Sequence, residues 1–284
     1  MSAPLEPFAE LLAREDARID LAHACLLIAE DAYPGLDVPA YLAELERLAQ
    51  RLRARLPQAH AGEEKVIALN AFLYEELGFT GNVEAYYDPR NSYLNEVMDR
   101  KTGIPISLSI VYMEIGRRIG LPLEGVSFPG HFLVRLRVRG GVLMLDPFAG
   151  GAPQSVDELR ARIARVIPPE ATGGVPVEDL PLDQFIEPAS NRQILARVLR
   201  NLKGIYRQAD DPARLLDVLN RMLVLSPRSR SDLRDRGLVY QRLECWRPAL
   251  QDLTDYLDLE PDAADLAEIR ARMIELRSRC ARLN

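Results

Sequence analysis

Apolar positions recur at helical spacing through most of the chain. Residues 19–30 are apolar on most faces, with Leu21, Ala24, Leu27 and Ile28 at helical intervals. Residues 38–56 repeat Leu42, Leu45, Leu48 and Leu52 between charges, which predicts an amphipathic helix. Pro34-Gly35 separates the two. Residues 63–77 set Val66, Leu69, Leu73 and Leu77 on one face, and Gly78 follows as a stop. The strongest helical pattern covers residues 104–119. Leu108, Val111, Tyr112, Ile115 and Ile119 form its apolar stripe, and Pro105 suits the first turn. Arg117 and Arg118 complement the dipole at its end, before Gly120 and Pro122.

The period then changes from helical to alternating. Residues 131–138 and 142–148 flank Arg139-Gly140-Gly141, which predicts a β-hairpin. With Gly140-Gly141 as its two-residue loop, Phe132, Val134, Leu136 and Val138 share a core face with Leu143 and Leu145. His131, Leu133 and Arg135 share the other face with Met144, Asp146 and Phe148. Residues 121–127 read as a further strand. Residues 80–103 mix turn formers with Tyr86, Tyr87 and Tyr93, the pattern of either a long structured loop or a short helix with turns. Residues 150–190 are rich in Pro and Gly, with one short helix over 156–164. Residues 172–188 read as a surface connector.

The last third repeats itself. Leu225-Ser226-Pro227 recurs as Leu259-Glu260-Pro261, a period of 34. At that offset Tyr206 matches Tyr240, Leu216 matches Leu250, Leu219 matches Leu253 and Leu223 matches Leu257. Paired amphipathic helices at this period are the tetratricopeptide signature. The first copy is degenerate around residues 208–212. Residues 264–283 read as a capping helix that covers the last apolar face. The expected organisation is an N-terminal helical region over 1–60, a core domain over 61–190 and helical repeats over 191–284.

Composition narrows the function classes. Apolar residues make up 48% and charged residues 27% of the 284, which is globular. A net charge of −6 argues against a general nucleic-acid binder. Three cysteines exclude a disulfide scaffold and fit a reducing compartment. No apolar run approaches the ~18 to 20 residues of a membrane span. Residues 1–13 lack the basic start of a signal peptide. A cytoplasmic protein with no membrane contact is expected. Nothing in the sequence speaks to its oligomeric state.

Candidate chemistry is sparse. No zinc spacing, phosphate-binding loop or dinucleotide fingerprint is present, so no cofactor is expected. His23 lies in the first apolar helix, and His60 in a loop before a helix. His131 follows Pro129-Gly130 and shares a sheet face with Asp146. A carboxylate that orients an imidazole is the base half of a nucleophilic triad. Ser107 and Ser109 open the 104–119 helix, where the dipole favours an anion.

The strings Leu94-Asn95, Arg100, Thr102-Gly103-Ile104-Pro105-Ile106-Ser107-Leu108-Ser109, Tyr112, Gly116-Arg117-Arg118, Phe128-Pro129-Gly130-His131-Phe132-Leu133 and Asp146-Pro147-Phe148 resemble the SirB-type transglutaminase-like family. The resemblance implies an α+β, papain-like core with N-terminal helices and a C-terminal all-α tetratricopeptide array. It implies a triad in which His131 is the base and Asp146 its orienter. Active members of the wider superfamily carry a Cys at the start of the core helix. Here Cys25, Cys245 and Cys280 all lie outside residues 91–146. Ser107 and Ser109 are the residues available there, and a serine hydroxyl is a much weaker nucleophile than a thiolate. Asn95, Ser109, Tyr86 and Tyr93 are the expected cleft lining.

Plainer readings stand beside these. Ser107 in a first helical turn also serves as a cap. With Gly140-Gly141 as the loop, Arg135 faces Asp146 and a cross-strand ion pair accounts for the carboxylate. His131 is then on the order of 13 Å from it, unless a bulge or another turn intervenes. The leading expectation is a transglutaminase-like protein without a thiol nucleophile. It binds a protein or peptide partner through its repeats and a remnant cleft. The alternative is a Ser107-His131-Asp146 hydrolase or amidase.

Overall fold

The computed structural model describes residues 4–56, 62–168, 170, 175–176 and 179–282. His60 lies outside these residues, as does part of the 172–188 connector. In chain order the helices begin with α1 (Glu6–Leu12), α2 (Leu21–Ala29), α3 (Val38–Arg53) and α4 (Gly62–Asn70). Then come β1 (Thr80–Gly81), α5 (Leu94–Arg100), β2 (Thr102–Gly103) and α6 (Pro105–Arg118). Strands β3 (Leu123–Val126), β4 (Leu133–Val138), β5 (Gly141–Asp146) and β6 (Ala152–Pro153) precede α7 (Val156–Val166). The chain ends with α8 (Asn191–Gln208), α9 (Pro212–Leu225), α10 (Arg230–Arg242), α11 (Trp246–Leu259) and α12 (Leu266–Ala281). Among the described residues, no helix is long and apolar enough to cross a membrane.

The chain divides into two compact units, one of Glu15–Ala29 with Gly35–Val198, the other of Met1–Arg14, Glu30–Pro34 and Leu199–Asn284. The first is α+β. Strands β3-β4-β5-β6 form an antiparallel sheet in that order, and β1 pairs with β2 in parallel. Helix α6 is its axis. The sequence predicts a one-sided stripe there, yet every residue from Pro105 to Gly116 is buried. Helices α2, α3 and α5 pack on it together with β3 and β4. Small residues such as Ser107, Ser109 and Gly116 supply the close approach: a Cβ on Gly116 would lie 2.3 Å from Leu123. Of the two alternatives for residues 80–103, the structure takes the short helix with turns, α5, set between two short strands. Lys101, at φ 56°, ends α5 in the left-handed region. The predicted 63–77 helix is α4 followed by a π-helical turn, Ala71–Glu76.

The second unit carries the repeats. Helix α11 lies 34 residues after α9 at both ends, and α10 ends 34 residues after α8. The joining turns match as well. Asp210 and Glu244 both take left-handed φ (55° and 60°), and the amides of Asp211 and Cys245 donate to the carbonyls of Tyr206 and Tyr240. The degenerate stretch at 208–212 therefore folds like its better-patterned copy. The copies differ at the next residue. Asp211 caps α9 by accepting from the Arg214 amide at 3.0 Å, whereas Cys245 gives α11 no side-chain cap. Cys245→Asp is therefore expected to stabilise this unit by about 1 kcal/mol. Urea denaturation of the two proteins side by side checks it, and an unchanged midpoint would refute the equivalence of the turns.

Candidate functional site

Pro129-Gly130 makes a turn in which the His131 amide donates to the Phe128 carbonyl at 3.1 Å. Gly130 has φ +65°, and a Cβ there would strike Val166 at 2.6 Å. His131 is consequently two residues ahead of β4 rather than its first residue. The hairpin loop is Arg139-Gly140, not Gly140-Gly141, with Gly140 at φ +91° and Val138 opposite Gly141. This slips the expected register by two residues. Both faces keep their side chains, because the period of a strand is also two. The pairing changes: Arg135 stands opposite Met144, and one further step sets Asp146 level with Leu133. The expected Arg135–Asp146 pair is absent. Arg135 bonds instead to Glu124 at 2.8 Å and to the Ile186 carbonyl at 3.0 Å.

The slip brings Asp146 to His131. The imidazole Nε2–H donates to Asp146 Oδ1 at 2.9 Å, and the Phe148 amide donates to the same oxygen at 3.1 Å. Arg162, from α7, takes Oδ2 at 2.8 Å. Asp146 is fully buried. Burial alone pushes its carboxyl up, but the hydrogen bond and charge of His131, then the Arg162 charge, hold it below the ordinary carboxylate range.

The backbone around Asp146 is clamped from behind. The Gly151 amide donates to the Asp146 carbonyl at 2.8 Å, closing the turn. Tyr74, on the π-helical segment, donates to the Pro147 carbonyl at 2.8 Å, and Asn70 Nδ2 to the Gly151 carbonyl at 3.0 Å. Tyr112 of α6 donates to Asn70 Oδ1 at 2.8 Å. Gly151 has φ +73°, and a Cβ there would lie 2.1 Å from Asn70 Oδ1. Only glycine passes beneath this clamp.

The serines are arranged otherwise. Ser107 Oγ donates to the Asn91 carbonyl at 2.6 Å and accepts the Ile104 amide at 3.0 Å. It closes the start of α6 and makes no bond to His131. Ser109 is fully buried, and its Oγ lacks a hydrogen-bond partner among the described residues, as does Asn95 Oδ1. Tyr93, expected to line a cleft, is 3% exposed and belongs to the core. Tyr86 does reach the site. Its ring lies edge-on to Phe148 at 6.4 Å, and Phe148 lies edge-on to His131 at 6.0 Å. Phe148 in turn rests on Gly81 of β1, whose partner β2 leads directly into α6. Arg162, Asn70 and Tyr74 escape a sequence reading. Each belongs to an ordinary amphipathic pattern, and only the tertiary fold turns it to Asp146.

Cys25 is no hidden nucleophile. It is buried in α2, and desolvation, aided by Glu114 and Asp20, pushes its thiol far up. An electropositive, partly exposed thiol is what reactivity requires.

A His–Asp pair at the end of the sheet beside a buried central helix, followed by 34-residue helical repeats, is the layout of a transglutaminase-like domain with a tetratricopeptide array. The family model of the transglutaminase-like superfamily matches residues 39–200, and a tetratricopeptide repeat model matches residues 202–273. The chain belongs to the transglutaminase-like superfamily and carries C-terminal tetratricopeptide repeats. It is 42% identical to the UPF0162 protein of Xylella fastidiosa, over 92% of both chains. It is 28% identical to Protein SirB1 of Salmonella typhimurium, over 84% of this chain and 86% of that one. It is 31% identical to F-box only protein 21 of Pongo abelii, over 68% of this chain and 31% of that one.

Proposed function

We propose that this protein is a transglutaminase-like protein without thiol chemistry, which binds a protein or peptide partner through its repeat array and the cleft at His131. The observation that carries this reading is the engagement of Ser107. Its hydroxyl hydrogen is directed to the Asn91 carbonyl and its lone pair to the Ile104 amide, so the residue at the expected nucleophile position acts as a helix cap. Cys25 is buried, and Cys245 and Cys280 belong to the repeats. Stacked helical repeats present a concave surface suited to a partner.

One observation favours a second reading, a hydrolase or amidase. His131 Nε2 is taken by Asp146, as a general base requires, and Nδ1 has no partner among the described residues. A single assay separates the two. The purified protein is incubated with a glutamine-bearing peptide and a primary amine, before and after thiol alkylation. No turnover is expected in either arm. Turnover abolished by alkylation would restore thiol chemistry. Turnover that survives alkylation and disappears in His131→Ala would establish the hydrolase.

A further inference from the structure

The rings beside His131 form a continuous wall. Tyr87 lies edge-on to Tyr86 at 5.3 Å, Tyr86 to Phe148 at 6.4 Å, and Phe148 to His131 at 6.0 Å. Both tyrosines of this wall reach solvent, Tyr86 in part. Tyr87 is 69% exposed, and Val83 on the same loop 75%. Nor is the loop loosely held. Asn91, fully buried, donates through Nδ2 to the carbonyls of Ala85 (2.7 Å) and Tyr86 (3.3 Å). Asn82 Oδ1 accepts the Ala85 amide at 2.9 Å, and Asp88 forks onto Arg90. A buried asparagine thus fixes a loop whose aromatic side chains face water. Rigid, exposed aromatics of this kind reduce the ordering cost of binding.

A polar contact point sits at the end of the wall. The His131 side chain is 12% exposed. With Nε2–H donating to Asp146, Nδ1 presents a lone pair, and no described residue uses it. The charge at this end is asymmetric. Asp146 is wholly buried, while the Arg162 side chain that pairs with it is 31% exposed. Solvent meets the cationic side of the pair. Arg197 adds a second guanidinium, 5.9 Å from the Phe132 ring centroid and bonded to Ser127 Oγ. Of the acids on the tyrosine loop, Asp88 is engaged by Arg90, leaving Glu84. Glu158 also lies within reach of the Arg162 charge, so this end is near neutral where the chain as a whole carries −6. Its cations Arg162 and Arg197 flank the wall, Arg197 close enough for its charge to act on the Tyr86 hydroxyl.

Resting on the partner-binding reading, we infer that this wall and His131 Nδ1 form a docking site for an extended acidic peptide segment with an aromatic or aliphatic anchor. The anchor packs on Tyr86 and Tyr87. A backbone N–H of the segment donates to Nδ1, and a neighbouring carboxylate lies toward Arg162. A mostly apolar surface with a few fixed polar points is the usual make-up of such a site.

The test uses the full chain with isotope-labelled histidine and tyrosine, followed by NMR. Three capped pentapeptides serve as probes: phenylalanine flanked by glutamates, phenylalanine flanked by lysines, and alanine flanked by glutamates. The first is expected to shift the His131 imidazole and Tyr87 ring signals saturably. The other two are expected to bind at least about tenfold more weakly, as is the first peptide to Tyr87→Ser. Tyr87 is exposed, so this variant is expected to melt with the parent protein. Equal binding of the glutamate and lysine probes overturns the acidic assignment. Shifts confined to the repeat tyrosines Tyr240 and Tyr256, or no shifts, overturn the site and leave the array as the partner surface. Cleavage of the first probe at an intact site overturns the non-enzymatic reading instead.

Discussion

Arg221→Ala will unfold the repeat unit more readily than any surface change, by about 3–5 kcal/mol. Arg221 is fully buried in α9. Its Nε and Nη2 donate to the two Asp31 oxygens at 2.6 and 2.9 Å, and its guanidinium lies 5.1 Å from the Phe8 ring centroid. Arg214 donates to the Asp31 carbonyl, so both arginines of α9 hold the 30–34 segment. Alanine at 221 leaves Asp31 charged, buried and alone, and opens a void beside Phe8. The unpaired charge, not the lost shape, supplies most of the loss. Asp31→Leu combined with Arg221→Met should therefore recover most of it, because a well-packed apolar pair replaces a buried ion pair at little cost. Urea denaturation of the single and double variants measures both effects. A double variant as unstable as Arg221→Ala would show that shape dominates.

This ion pair marks one boundary of what the sequence discloses. The 34-residue period is legible because each repeat carries its own local pattern. Helix α9 and helix α11 span equivalent positions, and even the φ signs of Asp210 and Glu244 agree. Arg221 falls within that pattern as an ordinary polar position. Its partner is 190 residues away, and the residue at the matching offset is Asp255. No periodicity can encode such a contact.

The hairpin marks another. Alternation identifies both strands and both faces, and puts His131 with Asp146 on one face. It does not choose between Arg139-Gly140 and Gly140-Gly141 as the loop. A slip of two residues returns every side chain to its own face, so the hydrophobic pattern is silent about it. The same slip decides whether Asp146 faces Arg135 or comes within reach of His131. Ser107 is a third case. Its place in the first turn of α6 is readable, but the direction of its hydroxyl depends on the Asn91 carbonyl, 16 residues earlier. The type and order of the site residues were thus open to inspection. Their connectivity was set by one turn and one carbonyl.

Asp146→Asn is expected to separate charge from geometry at this site. The asparagine oxygen still accepts from His131 Nε2–H and the Phe148 amide, so the imidazole keeps its tautomer and orientation. The amide nitrogen, however, meets Arg162 donor to donor, and the buried charge is gone. At neutral pH the variant should be less stable by about 2–3 kcal/mol. The pH dependence follows from the direction of the shift. The native carboxyl of Asp146 is held below its ordinary value, so the unfolded chain takes up its proton first as pH falls. The contribution of its charge is complete above the ordinary carboxylate range, declines below about pH 4, and vanishes once the native carboxyl itself is protonated. The stability gap between wild type and Asp146→Asn should accordingly stay constant from pH 7 to about pH 5 and close toward pH 3. Asp146→Ala, which also removes the acceptor, should in addition release the His131 tautomer, visible in the imidazole nitrogen shifts. A gap that is independent of pH would mean that Asp146 is held by shape alone and that its pairing with His131 and Arg162 carries no electrostatic weight.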